Sequence, residues 1–280
     1  MARACQVVGV SRSGYYQRQH PRPYRPRQIR DEVYVRAAFV ASHQTYGSRR
    51  VMHAVRAQGL AIGRYRVRTL MKRAQLRAHG TRKFVLTTQS NPNLRAGANV
   101  LNRQFTVAQA NQAWVTDVTY IDTDRGWLYL AAVLDLYSRK VVGWATSPRL
   151  LTPLVVNAIE MAIGQRHPRA GLLMHSDRGT QYTSDTYQQL LYRHGMTCSM
   201  SRSGDCWDNA VMERFFLSLK REWTWQRRYL NYTEAAQSIE QYICTFYNPV
   251  RLHSTLGYVA PDVFEKNHAR KTPLKLSTKT

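Results

Sequence analysis

The spacing of apolar residues predicts two successive helices in the first third of the chain. One helix is predicted over 48–58, with Ser48 as its N-cap and Gly59 as its end. After a turn at 60–63, a second helix is predicted over 64–77, with one apolar and one basic side. Two helices joined by a short turn that contains glycine are typical of a helix-turn-helix DNA-binding motif, although a simple helical hairpin gives the same pattern.

Four shorter segments complete this half of the chain. Residues 2–8 and 12–17 predict a small pair of helices. Residues 20–26, His-Pro-Arg-Pro-Tyr-Arg-Pro, contain too much proline for a helix or a strand and predict a linker. Residues 91–102 contain a proline, a glycine and few apolar positions, and they predict a hinge to the second half.

From residue 112 the pattern changes to short runs rich in Val, Thr, Tyr and Ile, which are typical of strands. Three such runs in succession predict an antiparallel meander, after which helices and strands alternate. The predicted elements are strands 114–121, 127–137 and 140–146, helix 151–166, strand 172–176, helix 184–194, strand 197–201 and helix 209–223. This order predicts an α/β (α+β) fold, namely a ribonuclease H-like mixed five-stranded sheet flanked by helices and preceded by an all-α helix-turn-helix region.

The composition is that of a globular protein. Of the 280 residues, 44% are hydrophobic and 21% are charged, which excludes a disordered or collagen-like chain and leaves two domains as the expectation. The cysteines, Cys5, Cys198, Cys206 and Cys244, form no Cys-x-x-Cys pair, so neither a zinc knuckle nor a disulfide framework is indicated. Since no run of about 18 apolar residues is present, we expect a soluble cytoplasmic protein with reduced thiols.

The charge is strongly basic and unevenly distributed. A formal net charge of +24 indicates a polyanionic partner, with nucleic acid as the first candidate and an anionic membrane surface as the weaker one. Residues 1–110 carry 21 of the 41 Lys and Arg side chains but only two of the 17 acids, Asp31 and Glu32. We therefore expect this half to bind DNA. The basic residues that the helix-turn-helix pattern offers are Arg49, Arg50, Arg64, Arg66, Arg68, Lys72 and Arg73.

Three acids in apolar surroundings are candidates for chemistry. Asp117 interrupts the strand Trp-Val-Thr-Asp-Val-Thr-Tyr-Ile, Asp177 ends the strand Leu-Leu-Met-His-Ser-Asp, and Glu213 lies among apolar residues of the last helix. Each alone could be a helix cap or an ion-paired acid, but three acids at the edges of buried elements indicate a divalent cation that offsets their burial. Oxygen ligands without a nearby His or Cys cluster favour Mg²⁺ or Mn²⁺ over zinc.

Other acids are given structural roles. Asp135, in Leu-Asp-Leu-Tyr-Ser-Arg, is expected to anchor a turn. Asp205 and Asp208 are expected to cap the last helix, because they lie immediately before it. The acids of the two strands and of the last helix remain as the catalytic candidates.

Around those three acids the sequence forms three distinctive motifs. They read Thr-Asp117-Val-Thr-Tyr, His-Ser-Asp177-Arg-Gly-Thr-Gln-Tyr and Asp-Asn-Ala-Val-Met-Glu213-Arg-Phe-Phe, with 35 residues between the second and third acids. Tyr46-Gly-Ser-Arg-Arg, the apolar run from Trp127 to Arg139 and Tyr-Asn-Pro-Val-Arg-Leu-His-Ser-Thr-Leu-Gly-Tyr at 247–258 accompany them. Together these segments, over nearly the whole chain, resemble DDE-type bacterial insertion-sequence transposases, and most of all their second-reading-frame (OrfB) products; the 35-residue spacing is shared with retroviral integrases.

The resemblance implies a polynucleotidyl transferase with a retroviral-integrase-like core. Such an enzyme cuts DNA at the ends of an insertion sequence and joins those ends to target DNA by phosphodiester hydrolysis and transesterification. The chemistry needs two divalent ions, Mg²⁺ or Mn²⁺, held by Asp117, Asp177 and Glu213, with Asp117 as the bridging ligand. The zinc-binding N-terminal module of the viral integrases has no counterpart in this sequence.

The last predicted helix carries further candidates. Lys220, two helical turns after Glu213, and Arg214 are expected to contact DNA phosphate, whereas an exposed solubilising lysine is the alternative for Lys220. Asn209 is equally compatible with positioning Glu213 or the substrate and with a helix N-cap. Two positions depart from the family pattern: Trp207 replaces a commoner tyrosine, and Arg214 stands where many relatives have a small residue.

The predicted organisation follows from these assignments. The parts are an N-terminal helical basic segment (1–40), a helix-turn-helix-like DNA-binding region (41–90), a linker (91–110), an integrase-like catalytic core (111–265) and a basic C-terminal tail (266–280). The expected partners are the terminal inverted repeats and target DNA, further copies of the chain assembled on DNA, and a first-reading-frame (OrfA) product as partner or fusion. The expected location is the nucleoid of a bacterial cytoplasm.

Two other functions fit parts of the pattern. One is a ribonuclease H-like nuclease that cuts nucleic acid without joining it. The other is a helix-turn-helix regulator whose second half serves only oligomerisation. The regulator is disfavoured because a binding module has no use for three acids among apolar residues.

Overall fold

The computed structural model describes residues 2–19, 26–80, 97–202 and 206–269, which form two compact units, Met1–Ala78 and His79–Thr280. Asp205, most of the proline-rich linker, the first part of the hinge and most of the C-terminal tail lie outside the described residues. The division of the chain into five parts stays a prediction.

The first unit is helical. Its helices are α1 (Ala2–Val7), α2 (Arg12–Gln19), α3 (Pro26–Ala41), α4 (Ser48–Ala57) and α5 (Arg64–Arg73). The last three pack on one another, because each buries an apolar stripe in a shared core that includes Val35, Phe39, Val51, Val55, Val67 and Leu70. The predicted helix-turn-helix corresponds to α4, the turn at 58–63 and α5.

Details of the first unit differ from the predictions. Ser48 is not an N-cap: Gly47 occupies that position, and no side chain caps the helix. The second helix ends at Arg73 instead of residue 77, because Gln75 has a left-handed backbone with φ of 55°. The sequence pattern did not mark α3, since its buried side includes Asp31 and its opposite side exposes apolar residues such as Val33, so its periodicity is weak.

The second unit contains the sheet. Its elements are β1 (Ala113–Thr123), β2 (Gly126–Asp135), β3 (Val141–Ser147), α6 (Thr152–Arg166), β4 (Leu173–Ser176), α7 (Asp185–Arg193), β5 (Thr197–Met200), α8 (Ala210–Glu222), α9 (Tyr232–Gln241) and α10 (Pro261–Ala269). The strand order is β3-β2-β1-β4-β5, with β1, β2 and β3 antiparallel and β1, β4 and β5 parallel. The predicted mixed five-stranded sheet is confirmed.

Helix α6 lies directly against the sheet. Gly143 of β3 makes this approach possible, since a Cβ there would collide with the backbone of Ala158 and Ala162. The apolar side of α6 packs with side chains of the strands and of α7 in one hydrophobic core. That core includes Trp114, Val133, Val142, Val155, Ile159, Met174, Leu190 and Leu191. This packing fixes β1 and β4, the two strands that carry candidate acids, side by side.

The region after α8 was not resolved into elements by the sequence pattern. It contains α9, which continues into a π-helical segment, Tyr242–Tyr247, and then α10. Asn231 caps α9 by accepting a hydrogen bond from the N–H of Glu234, at 2.9 Å. Aromatic side chains pack this region against α8. The rings of Phe215 in α8 and Tyr247 in the π-helical segment have centroids 4.9 Å apart.

Candidate active site

Parallel strands bring the first two acids together. Asp117 lies in the middle of β1, and Asp177 directly follows β4. The register pairs Val115 with His175, so the residues two positions further along each strand, the two acids, are neighbours at the same end of the β1–β4 pair. Both acids are half-buried.

Burial and the neighbouring acids both raise the pKa of Asp117. Burial raises the pKa of Asp117 well above its ordinary value, and the charge of Asp177 raises it further. The third acid, Glu213 in the first turn of α8, also raises the pKa of Asp117, although its own side chain is exposed. Burial likewise raises the pKa of Asp177, and partial burial of its carboxyl raises the pKa of Glu213.

Backbone hydrogen bonds orient the two strand acids. The N–H of Val118 donates to Oδ1 of Asp117 at 2.7 Å, and the N–H of Gly179 donates to Oδ1 of Asp177 at 2.9 Å. Each bond favours the charged carboxylate. Within the part of the chain that the structure describes, no three His, Cys, Asp or Glu side chains are arranged closely enough to bind a metal ion without moving.

Lys220 of α8 is buried and close enough to Asp117 for their charges to interact. The residue is only 7% exposed, and its Nζ lies 4.4 Å from the centre of the Tyr120 ring. Burial lowers the pKa of Lys220 to about 8, while the negative charge of Asp117 acts to raise it. The alternative of an exposed solubilising lysine is therefore wrong. Arg214, by contrast, is exposed beside Glu213.

Asn209 ties the start of α8 to β1. It occupies the N-cap position but makes no capping bond with its side chain. Instead its Nδ2 donates to the carbonyl oxygen of Thr116, next to Asp117, at 3.2 Å. Its Oδ1 is buried and has no hydrogen-bond partner among the described residues. Asn209 therefore links the helix that carries Glu213 to the strand that carries Asp117.

Asp208 does not cap the last helix, contrary to the prediction. It is fully buried, and its carboxylate accepts hydrogen bonds from Arg202 at 2.9 Å, Arg103 at 2.8 Å and Asn99 at 2.7 Å. These bonds, those from Arg202 first, hold its pKa well below the ordinary value. Asp208 thus fixes the short 3₁₀ turn that leads into α8. Asp135 does anchor a turn, as expected, by accepting from the N–H of Tyr137 at 2.8 Å.

A buried ion pair holds the far end of α8. Arg251 binds both carboxylate oxygens of Glu222, at 2.6 and 2.8 Å, and the hydroxyl of Ser218 at 2.8 Å. The hydroxyl of Tyr242 donates to the same carboxylate at 3.1 Å. Arg251 belongs to the 247–258 motif, so this motif fixes the helix of Glu213 and Lys220. No local pattern in the sequence marks this pair, because its partners lie 29 residues apart along the chain.

In the first unit, the predicted DNA-binding residues divide into two groups. The exposed ones are Arg49, Arg64, Arg68, Lys72 and Arg73. Arg50 is half-buried over the ring of Tyr46, at 5.6 Å. Arg66 is bound to the buried carboxylate of Asp31, with N–O distances of 3.0 and 3.1 Å, and so fastens α5 to α3.

Three sequence families match this chain. An integrase core domain matches residues 107–206, a second integrase core domain matches 194–261, and a helix-turn-helix-like domain matches 27–84. No helix in the described ranges combines the length and the apolar character needed to cross a membrane.

Curated relatives cover almost the full length. The chain is 42% identical over 267 residues to the insertion element IS600 uncharacterized 31 kDa protein of Shigella sonnei, which spans 94% of this chain and 98% of the relative. It is 40% identical over 269 residues to transposase InsF for insertion sequence IS3A of Escherichia coli (strain K12), over 94% and 93% of the two chains. Among solved structures, the catalytic core domain of BIV integrase is 18% identical with a TM-score of 0.44, over 58% of this chain and 99% of that one.

Proposed function

This chain belongs to the IS3-type insertion-sequence transposases, and we propose how its residues carry out the cutting and joining of DNA. The enzyme is a DDE-type polynucleotidyl transferase with an integrase core, and it acts on the ends of an insertion sequence and on target DNA. A nuclease without joining activity and a DNA-binding regulator are less favoured, because a relative named as a transposase matches this chain over nearly the full length of both.

One observation carries the assignment of the site: Asp117 and Asp177 lie side by side and half-buried, both with raised pKa values, and Glu213 is near enough to raise the pKa of Asp117. Neighbouring half-buried carboxylates of this kind fit a hard divalent cation, because oxygen ligands and negative charge are what such ions require. We assign these three acids as the ligands of Mg²⁺ or Mn²⁺, with two ions. Bound there, the ions would lower the pKa of the attacking water or 3′-hydroxyl and stabilise the leaving oxygen.

The other residues of the site place these ligands and the DNA. Asn209 holds the start of α8 against β1, and the Arg251–Glu222 pair holds its end. Glu213 is exposed on this fixed helix and so can reach both the ions and the DNA. Arg214 and Lys220 supply positive charge on the same helix for the phosphates at the cut end.

Assembly and location follow from the reaction. An insertion sequence has two ends, so we infer that at least two copies of the chain assemble on DNA. An OrfA product, as a partner or as a fusion, is a further proposed component. We infer from its DNA substrate that the enzyme acts at the nucleoid of the bacterial cytoplasm.

A strand-transfer assay tests the function. Labelled duplexes that carry the element's end are incubated with the full chain, Mg²⁺ and a target plasmid. We expect a nicked end and a longer, joined product, both absent with EDTA. Cleavage without the joined product would instead identify a nuclease, and binding without either product would identify a regulator.

Lys220→Ala should slow strand transfer by about tenfold or more for every end sequence alike, because a buried point charge beside the site positions a phosphate and reads no base. It should also raise the pKa of Asp117 further, since Lys220 opposes that shift. Single-turnover rates at limiting DNA measure the effect.

Two variants control this result. Lys220→Arg keeps the charge and should retain part of the rate. Lys266→Ala removes an exposed lysine of α10 and should leave the rate unchanged. Strand transfer by Lys220→Ala at the wild-type rate would show that its burial is only structural.

A further inference from the structure

The outward side of α5 combines basic side chains with an aromatic and a hydroxyl side chain. Val67, Leu70 and Met71 face the core of the first unit. On the opposite side, spaced i, i+3, i+4 and i+7, lie four exposed side chains: Tyr65, Arg68, Thr69 and Lys72. This spacing places them along one side of the helix over about 10 Å. The side therefore carries an aromatic ring, a guanidinium, a hydroxyl with a methyl group, and an ammonium.

The helix that carries this side is held firmly. Leu60 and Ile62 of the preceding turn are buried, and Nε of Arg56 donates to the carbonyl oxygen of Ile62 at 2.8 Å. On the other side, Arg66 is bound to the buried Asp31 of α3. A helix fixed at its start and along its flank presents its outward side in one orientation, which direct recognition of a ligand requires.

Tyr65 is the unusual member of the group. The residue is 85% exposed, although a ring of this size is ordinarily at least half-buried in a soluble domain. Thr69 donates its hydroxyl to the carbonyl oxygen of Tyr65 at 3.1 Å, so a contact from Thr69 to a ligand would come from its methyl group or from an oxygen lone pair. Exposed apolar surface next to an exposed guanidinium indicates a ligand with both apolar and polar edges.

The major groove of duplex DNA offers such edges. Guanine presents two acceptors that match a guanidinium, and thymine presents a methyl group that suits an aromatic ring or a threonine methyl. The groove admits one α-helix, and about 10 Å of helix spans roughly three base pairs. The chemistry of Tyr65, Arg68 and Thr69 therefore matches base edges, whereas that of Lys72 matches phosphate.

We propose that Tyr65, Arg68 and Thr69 read base edges in the major groove of the DNA ends and so determine which ends the enzyme accepts. Lys72 contacts the flanking phosphate, and Arg66 fastens α5 without contacting DNA. This assignment rests on the proposed function, because it supposes that DNA ends are the substrate.

Selection from a random DNA library tests the assignment. The full chain is incubated with duplexes that contain 20 randomised base pairs, and the bound fraction is sequenced for the wild type and for Tyr65→Ala, Arg68→Ala and Thr69→Val. We expect the wild type to enrich a motif and each variant to lose preference at one or two positions by roughly five- to hundredfold. Lys72→Ala should weaken binding of all sequences alike.

Tyr192→Ala is the matched control, because Tyr192 is a helical tyrosine of the second unit with nearly the same exposure, 86%. It should enrich the wild-type motif, and thermal melting should show that all variants are folded, since each changes an exposed side chain. A wild type that enriches no motif, or α5 variants that enrich the unchanged motif, would overturn the assignment.

The strand-transfer assay separates this result from the proposed function. If the wild type joins ends in Mg²⁺ while the α5 variants keep its motif, the assignment to α5 is overturned and the transposase activity stands. If the variants change the motif but the wild type neither cuts nor joins, the recognition side is supported and the proposed function fails.

Discussion

Replacing Asp177 with asparagine should abolish DNA cleavage and strand joining and leave the fold and DNA binding intact. The amide is nearly isosteric and can still accept the hydrogen bond from the N–H of Gly179. It cannot supply the negative charge that a hard cation needs, so we expect rates to fall on the order of 10³-fold or more. The pKa of Asp117 should fall, because the charge of Asp177 is one cause of its elevation.

Metal binding gives a second readout for the same variant. Mn²⁺ should raise the melting temperature of the wild type, since a ligand that binds only the folded state stabilises it, and this increase should be lost in Asp177→Asn. Asp185→Asn changes an exposed acid of α7 nearby in sequence and should behave like the wild type in both assays. Near-normal cleavage by Asp177→Asn would contradict the metal assignment.

The sheet and its acids could be predicted from the sequence because their signals are local. Each strand shows its own enrichment in β-branched residues, and acids such as Asp117 stand out against an apolar strand. The turn after β2 was also predictable, since Asp135 accepts its hydrogen bond from the N–H of Tyr137, only two residues later. In these cases the information lies within a few residues of the element.

The ion pairs and ring contacts that fix the charged side chains could not be predicted, because they join distant parts of the chain. Arg66 binds an acid 35 residues earlier, Arg251 binds an acid 29 residues earlier, and Asp208 receives a bond from a residue 105 positions earlier. The burial of Lys220 likewise depends on Tyr120 of another element. A single sequence shows that such charges exist but not which of them meet.

The salt dependence of DNA binding should be steep, because most of the excess charge belongs to the part of the chain before residue 110. If six to ten phosphates are contacted, the affinity of the full chain for an end duplex should fall by roughly 10³–10⁵ between 50 and 200 mM salt. A fragment of residues 1–95 contains the whole compact first unit and should bind the same ends with a similar slope. Fluorescence anisotropy over a salt series measures both.

Two substitutions identify the residues behind this slope. Each phosphate contact contributes about 0.9 to the logarithmic slope, so the double change Arg64→Ala with Lys72→Ala should reduce it by about 2. Arg169→Ala removes an exposed arginine just before β4, at the opposite end of that strand from Asp177, and should leave the slope unchanged. A slope that is shallow in the wild type, or that the double change leaves as it was, would show that the basic charge of the first unit does not bind the DNA backbone.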